Sequence, residues 1–397
     1  GQDRMLIAAQ REGRSPQQIA AKYAAEFFEA LAAVRAEPAD YYPRATMHIP
    51  QMQAIIQRLT ENGLAYETSS GVYFDVTKWP SYGKLSGNTL DAIRAGARVD
   101  VREEKHHPAD FALWVKAPKE HLMQWDSPWG RGYPGWHIEC SAMSMQLLGE
   151  TIDVHTGGTD NIFPHHENEI AQSEGATGKP FVRTWLHNEF LELKDEKMAK
   201  SEGNVLTISD VKARGYDLLA FRLLCLQTHY RSKLHFSWES MDAAATALSS
   251  LRDFVRRLTD THEETAGSPW GATLSTLEQR YTGALADDLG SPQALAAVFE
   301  FVRDLNPRLQ SGALNAADAE AIRALFRKLD TVLALLDVDV PLPSPEIPAD
   351  VQRLLGERED ARRRRDFAAA DRLREEIRAT GFQIEDTPAG PRITRVR

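Results

Sequence analysis

The sequence predicts an α/β region followed by an all-α region, closed by a small C-terminal module. Three features carry that expectation. Short runs rich in β-branched and aromatic residues, DFALWVKA from Asp110 and TIDVHTGG from Thr151, alternate with helical patterns in the first half. After Asn204 the apolar residues recur almost wholly at helical spacing. The Pro-rich stretch VPLPSPEIP from Val340 then sets off one further segment.

Taken in order, a helix is expected from Ser15 to Val34, because Ser15 suits a cap and Pro16 suits the first helical position. A second spans His48 to Asn62 and is closed by Gly63. In LAYETSSGVYFDVTKW two aromatic and β-branched runs flank SSG, a hairpin signal, and the polar, Gly-containing segment 81–108 is expected to be loop. TIDVHTGG leads directly into a helix expected to start near Pro164. Strand, Gly-containing turn and helix N-terminus in that order form a plausible nucleotide-binding corner, with Asp160 on it. Segments such as SDVKARGYDLLAFRLLCLQ, MDAAATALSSLRDFVRRL and PQALAAVFEFVRDL then build a helical bundle. Beyond the linker come one amphipathic helix (Phe367, Ala370, Leu373, Ile377) and a β-like tail. There is no long-period repeat.

The chain has 397 residues, 42% of them hydrophobic, which suits a globular protein of roughly two to four domains. Cys140 and Cys225 are its only cysteines, so a disulfide framework is excluded and a reducing, cytoplasmic location is expected. Cys225, in the apolar run FRLLCLQ, reads as core packing. No apolar run reaches the roughly 18 residues of a membrane span, and no leader pattern is present. A net charge of −10 argues against non-specific nucleic-acid binding, yet from Val351 onward 12 basic residues face 9 acidic ones. That basic end permits a local RNA contact, although Arg362 to Arg365 also fit a solvated helix face.

Two motifs carry chemistry. GWHIECSAM from Gly135 and HTGGTDNIFPHHENEIAQ from His155 supply a thiol, an imidazole and a carboxylate. On a helix His165 and Glu169 stand four apart on one face, within reach of a common ion, with Cys140 arriving from another segment. Three donors leave either a ligand missing or a coordination position open. The competing reading makes Cys140 a small buried hydrophobe and HHENE a hydrogen-bonded polar face. The second motif, LHNEFLELKDEKMAKSEGN from Leu186, places Lys197 and Lys200 three apart beside Ser201 in a polar, Gly-ended loop. Such a loop can fold over polyphosphate and offset the charge that grows on a leaving pyrophosphate.

In this order and spacing, GWHIECSAM, GG-x-D-x-x-FPHHENEIAQ and KMAKSEGN resemble the cysteinyl-tRNA synthetases, which are class I aminoacyl-tRNA synthetases. HIPQMQAIIQRL, DFALWVK, DFAAADRLREEI and IEDTP extend the likeness over nearly the whole chain. The resemblance implies zinc bound by Cys140, His165 and Glu169, a substrate pocket with Trp136 and His155, and Asp160 near adenosine. It makes Lys197 and Lys200 catalytic and adds Lys200 and Ser201 to the ATP contacts, with Ala199 standing where the family's KMSKS loop has Ser. It further implies ATP with Mg2+, cysteine and tRNA(Cys) as substrates, and a monomer off the membrane.

The fold implied is a partial Rossmann-like catalytic domain. The divisions expected are a remnant of the first Rossmann half (1–40), an insertion (41–133), the second half with the zinc site (134–185), the lysine-loop region (186–240), a tRNA-binding bundle (241–338), and linker plus anticodon-binding module (339–397). The family's first zinc Cys and its His-Ile-Gly-His motif have no counterpart, MHIP and EKHHP lacking the glycine. The chain, opening at Gly1, is therefore expected to lack its natural beginning and to be inactive alone. Rival readings are a cysteine ligase of the mycothiol-biosynthesis type, a non-catalytic tRNA-binding remnant, and a zinc hydrolase.

Overall fold

Local sequence signals act much as expected at the N-terminal end. The computed structural model describes residues 4–92, 104–118, 121–193, 206–261, 270–339, 347–387 and 390–395. Helix α1 (Arg4–Glu12) packs on α2 (Pro16–Ala33). The Ser15 hydroxyl accepts from the Gln18 amide while the Gln18 side chain accepts from the Ser15 amide, a reciprocal cap that satisfies two otherwise orphaned donors. Helix α3 (Ile49–Glu61) buries Ile49, Met52, Ile55, Ile56 and Leu59, a stripe at helical spacing.

The stripe packs beneath a four-stranded antiparallel sheet. Its strands are β1 (Ala65–Glu67), β2 (Gly71–Phe74), β3 (Phe111–Lys116) and β4 (Gly132–Pro134), in sequential order. The hairpin expected around SSG is β1–β2, with Tyr66 opposite Tyr73. Within 81–108, residues 90–92 are helical, the Thr89 hydroxyl accepting from the Ala92 amide. Strand β4 passes through Gly135 into α4 (Trp136–Leu148). Met52, Ile56, Leu59, Phe74, Trp114, Ile138 and Ala142 form the shared core. Burial of each large apolar side chain contributes about 1.5–3 kcal/mol.

Strands β5 (Ile152–Gly158) and β6 (Val182–Asn188) pair in parallel, which requires a crossover connection, here α5 (Glu167–Thr177). Helical backbone angles begin at Pro164, as expected, and regular α-helical bonding follows from Glu167. A turn at Thr159–Asn161 and a π-helical stretch at Ile162–His166 intervene, with Phe163 extended at φ −137°, ψ 132°. Pro164 suits the first helical position, since it needs no N–H there and drives the preceding Phe163 out of the helical region.

Parallel strands β7 (Leu191–Leu193) and β8 (Leu234–Phe236) follow, with α6 (Ile208–Ala213) and α7 (Leu218–Leu226) between them. Lys197, Lys200 and Ser201 lie outside the described residues. The bundle comprises α8 (Trp238–Thr259), α9 (Gly271–Ala286), α10 (Ser291–Gln310) and α11 (Ala316–Leu333). Phe254 of α8 and Phe301 of α10 meet Phe326 of α11 at 5.6 and 5.9 Å between ring centroids. Arg222 of α7 donates to Val34 and Arg35 at the end of α2 and to Val332 and Leu333 at the end of α11. A cation suits two helix C-termini. Cys225 is half-buried, with burial pushing its thiol up to about 11.

Residues 337–397 form a separate compact unit. It holds two helices, α12 (Ala349–Arg363) and α13 (Phe367–Ala379), where the sequence suggested one, and the hairpin β9 (Phe382–Thr387)–β10 (Gly390–Arg395). The apolar stripe of α12 is broken by a buried cation. Arg358, 3% exposed, donates to both carboxylate oxygens of Asp386 at 2.9 and 2.8 Å and to Glu359 at 2.9 Å. Arg362 also pairs with Asp386, so the arginine run is partly engaged inside the unit. Among the described residues no helix is long and apolar enough to cross a membrane.

Arg358→Ala is expected to destabilise this unit by about 2 kcal/mol in urea unfolding, below the cost of breaking a fully buried pair because Asp386 keeps Arg362. The Arg358 guanidinium holds the Asp386 carboxyl below its ordinary value. The wild-type contribution is therefore full at neutral pH and lost as pH falls below about 4, a loss that the variant should show less steeply.

Candidate metal centre

Four elements converge on one carboxylate. Trp136, His137 and Cys140 come from the first turns of α4, and His155 comes from β5. His165 and His166 come from the π-helical stretch, Glu169 from α5, and Trp185 and His187 from β6. The crossover brings them together, because α5 connects two adjacent parallel strands and packs against α4. Gly157 on β5 permits the closest approach, since a Cβ there would lie 2.6 Å from His166 Cε1.

Cys140, His165 and Glu169 present ligand atoms that all lie within 4.8 Å of one another, and so do His155, His166 and Glu169. Glu169 is 0% exposed, and among the described residues neither of its carboxylate oxygens has a nitrogen or hydroxyl donor aligned to it, the Cys140 thiol being its polar neighbour. His155 Nε2 at 3.2 Å and His165 Nε2 at 3.4 Å are near but not aligned to donate. An ionised carboxylate out of water and without such donors is costly, and such groups are found paired or coordinating metal. The residues present thus fit a cation, and a thiol, imidazole and carboxylate together suit zinc.

The imidazoles are poised as neutral ligands. Burial, reinforced by His165, pulls His137 down to about 3, and burial with His155, His187 and His165 pulls His166 down to about 3. His165 and His187 are lowered for the same first reason, with Glu169 opposing the shift at His165. His137 Nδ1 and His165 Nδ1 share a 2.8 Å hydrogen bond, which leaves His165 Nε2 toward Glu169. His166 Nδ1 bonds His187 Nε2 at 2.8 Å. Burial pushes the Cys140 thiol up to about 12, with the charges of Glu169 and Glu139 adding to it.

The three expected metal donors therefore meet. Trp136, 61% exposed, lays its ring over His165 at 4.5 Å between centroids, forming one wall. His155 contacts Glu169 and stands 4.8 Å from the Trp185 ring. Asp160 is exposed on the turn after β5, at the expected corner and outside both donor groups. Lys197, Lys200 and Ser201 fall outside the described residues. His137, His166, His187 and Trp185 escaped the sequence reading. The three histidines lie inside the motifs already quoted, but nothing local marks which histidine turns inward.

Residues 2–246 match the tRNA synthetases class I (C) catalytic domain, 280–337 the DALR domain, and 344–391 the cysteinyl-tRNA ligase anticodon binding domain. A cysteine–tRNA ligase of Chlamydia pneumoniae is 41% identical over 399 residues, covering 99% of this chain and 83% of that protein. One from Thermus thermophilus is 43% identical over 403 residues, with 99% and 82% covered. Among solved structures, Mycobacterium tuberculosis methionyl-tRNA synthetase with methionyl-adenylate superposes with a TM-score of 0.62 at 15% identity, over 92% of this chain and 86% of that one, a likeness of fold.

With a chelator present and Cys225 replaced by serine, Cys140 should react with a thiol reagent at pH 8 at least about tenfold more slowly than free cysteine, because thiolate is the reactive form. Rates equal to free cysteine would contradict the burial described. Glu169→Gln should speed the reaction only partly, since burial is the larger cause.

Proposed function

This chain belongs to the cysteine–tRNA ligase family of class I aminoacyl-tRNA synthetases, and from that premise we propose that its site serves the activation of cysteine with ATP and Mg2+ and the passing of the cysteinyl group to tRNA(Cys), the chain by itself being expected to be inactive. A carboxylate oxygen of cysteine bonds to the α-phosphorus of ATP as the bond to the β-phosphate breaks and pyrophosphate leaves. A terminal ribose hydroxyl of the tRNA then attacks the carbonyl carbon, and AMP departs. The observation that carries the site assignment is Glu169, buried beside Cys140 and His165 with no nitrogen or hydroxyl donor among the described residues aligned to either oxygen.

In this reading Cys140, His165 and Glu169 hold zinc. When bound, zinc supplies a soft Lewis acid that favours the substrate sulfur as thiolate. His137 fixes the ring of His165 through Nδ1, so that Nε2 stays turned to the site. Trp136 walls the pocket over His165, and His155 beside Glu169 lines its floor. Selectivity follows from the donor set. A pocket that judged size alone would separate cysteine from serine by only about 1–3 kcal/mol. A thiol of pKa about 8.5 yields a soft ligand readily, whereas an alcohol does not. No second editing step is then required.

Lys197 and Lys200 offset charge on the leaving pyrophosphate, and Lys200, Ser201 and Asp160 contact the nucleotide. This part rests on the KMAKSEGN run and on the exposed corner after β5. The matches over 280–337 and 344–391 support assigning the bundle (241–338) to the body of the tRNA and the terminal module (339–397) to the anticodon. Two free thiols support a cytoplasmic location.

Purified under reducing conditions, the protein should retain about one zinc per chain, shift tRNA(Cys) in a gel, and bind cysteine but not serine in calorimetry. Cys140→Ser should remove the zinc and the preference together. Absence of zinc from the wild type, or a preference untouched by Cys140→Ser, would overturn the reading.

A further inference from the structure

One side of α5 carries metal donors, and the opposite side is gripped by a loop from far earlier in the chain. At 3.6 residues per turn, Glu167 lies roughly 200° around the helix from Glu169 and shares a face with Glu174. Glu167 is 1% exposed. Its Oε1 accepts from the Gly83 amide at 2.9 Å, and its Oε2 accepts from Leu85 at 3.1 Å and Ser86 at 2.8 Å. Neighbouring contacts extend the grip. Tyr82 donates to Asn168 Oδ1 at 2.5 Å, and Lys84 pairs with Glu174 at 2.5 Å. The loop is shaped for this, because Gly83 has φ +95° and a Cβ there would lie 1.9 Å from the Asn88 carbonyl oxygen.

The first turn of α5 is also tied through His165 to His137 and through His166 to His187, while no side chain caps it. A carboxylate in that first turn suits the helix dipole, and its three backbone bonds compensate its burial. Rotation of this turn would swing His165 and Glu169 away from Cys140.

We propose that Glu167 is a positioning residue of the metal centre: by gripping the backbone at Gly83, Leu85 and Ser86 it sets the rotation at which His165 and Glu169 face Cys140. Glu167 does not touch the metal. The inference rests on the zinc reading above and makes the insertion part of the metal centre's support.

The test is zinc affinity, measured by competition with a chromophoric chelator. Glu167→Gln turns an acceptor pair into a mixed amide facing three N–H groups and should weaken zinc binding about 10- to 100-fold, as loss of outer support does elsewhere. Gly83→Ala, which displaces the loop and leaves the carboxylate intact, should weaken it in the same sense and decides the matter alone if Glu167→Gln does not fold. Lys84→Ala, which removes the neighbouring pair with Glu174 and leaves the three backbone bonds of Glu167 intact, should weaken zinc binding less than either. A lower melting temperature with unchanged zinc affinity in both Glu167→Gln and Gly83→Ala would overturn the proposal. Failure of the wild type to bind zinc would instead sink the reading beneath it.

Discussion

A carboxylate sealed from water, with no nitrogen or hydroxyl donor among the described residues aligned to either oxygen, is the constraint on which this site turns. Glu169 is surrounded by imidazoles and a thiol. Burial lowers His137, His165 and His166, which disfavours the imidazolium forms that could pair with a carboxylate. The same burial suppresses ionisation of Cys140. A divalent cation reverses both penalties at once, since it pairs with the carboxylate and favours the thiolate. The groups make physical sense as a set and poor sense singly.

Holding such a set in place needs rigid surroundings, and the α/β part supplies them. The crossover α5 lies between a parallel strand pair and the core beneath the antiparallel sheet, with the donors near the C-terminal end of β5. Open α/β sheets place ligand sites at such ends. The helix is further tied from behind by the insertion loop through Glu167, Asn168 and Glu174, so consecutive residues of HHENE have separate duties. At a distance, Arg222 closes two helix ends with one guanidinium, linking α2 and α11 through α7.

Much of the fold was legible where the signal is local. Ser15 and Pro16 mark a helix start, the α3 stripe marks its buried face, and SSG marks the hairpin. Legibility failed where a polar residue does the work of an apolar one. Helix α12 went unrecognised because its interior residue Arg358 reads as surface, and Asp386 on a strand some thirty positions later, with Glu359 beside it, makes its burial tolerable. By contrast, the helix carrying Glu169 takes up helical angles at Pro164, where the sequence expects it, after an extended Phe163.

The sequence by itself determined the family, the order of its parts, and the three donor types at Cys140, His165 and Glu169. It did so because motif spacing and apolar period are properties of the chain read along its length. Tertiary structure alone decided that Glu169 has no aligned nitrogen or hydroxyl donor among the described residues, that His137 rather than His166 orients His165, and that Glu167 faces a loop eighty residues upstream. Periodicity reports which residues share a face of one element. It carries no information about which distant backbone will meet that face, and those meetings set the charge balance of the site.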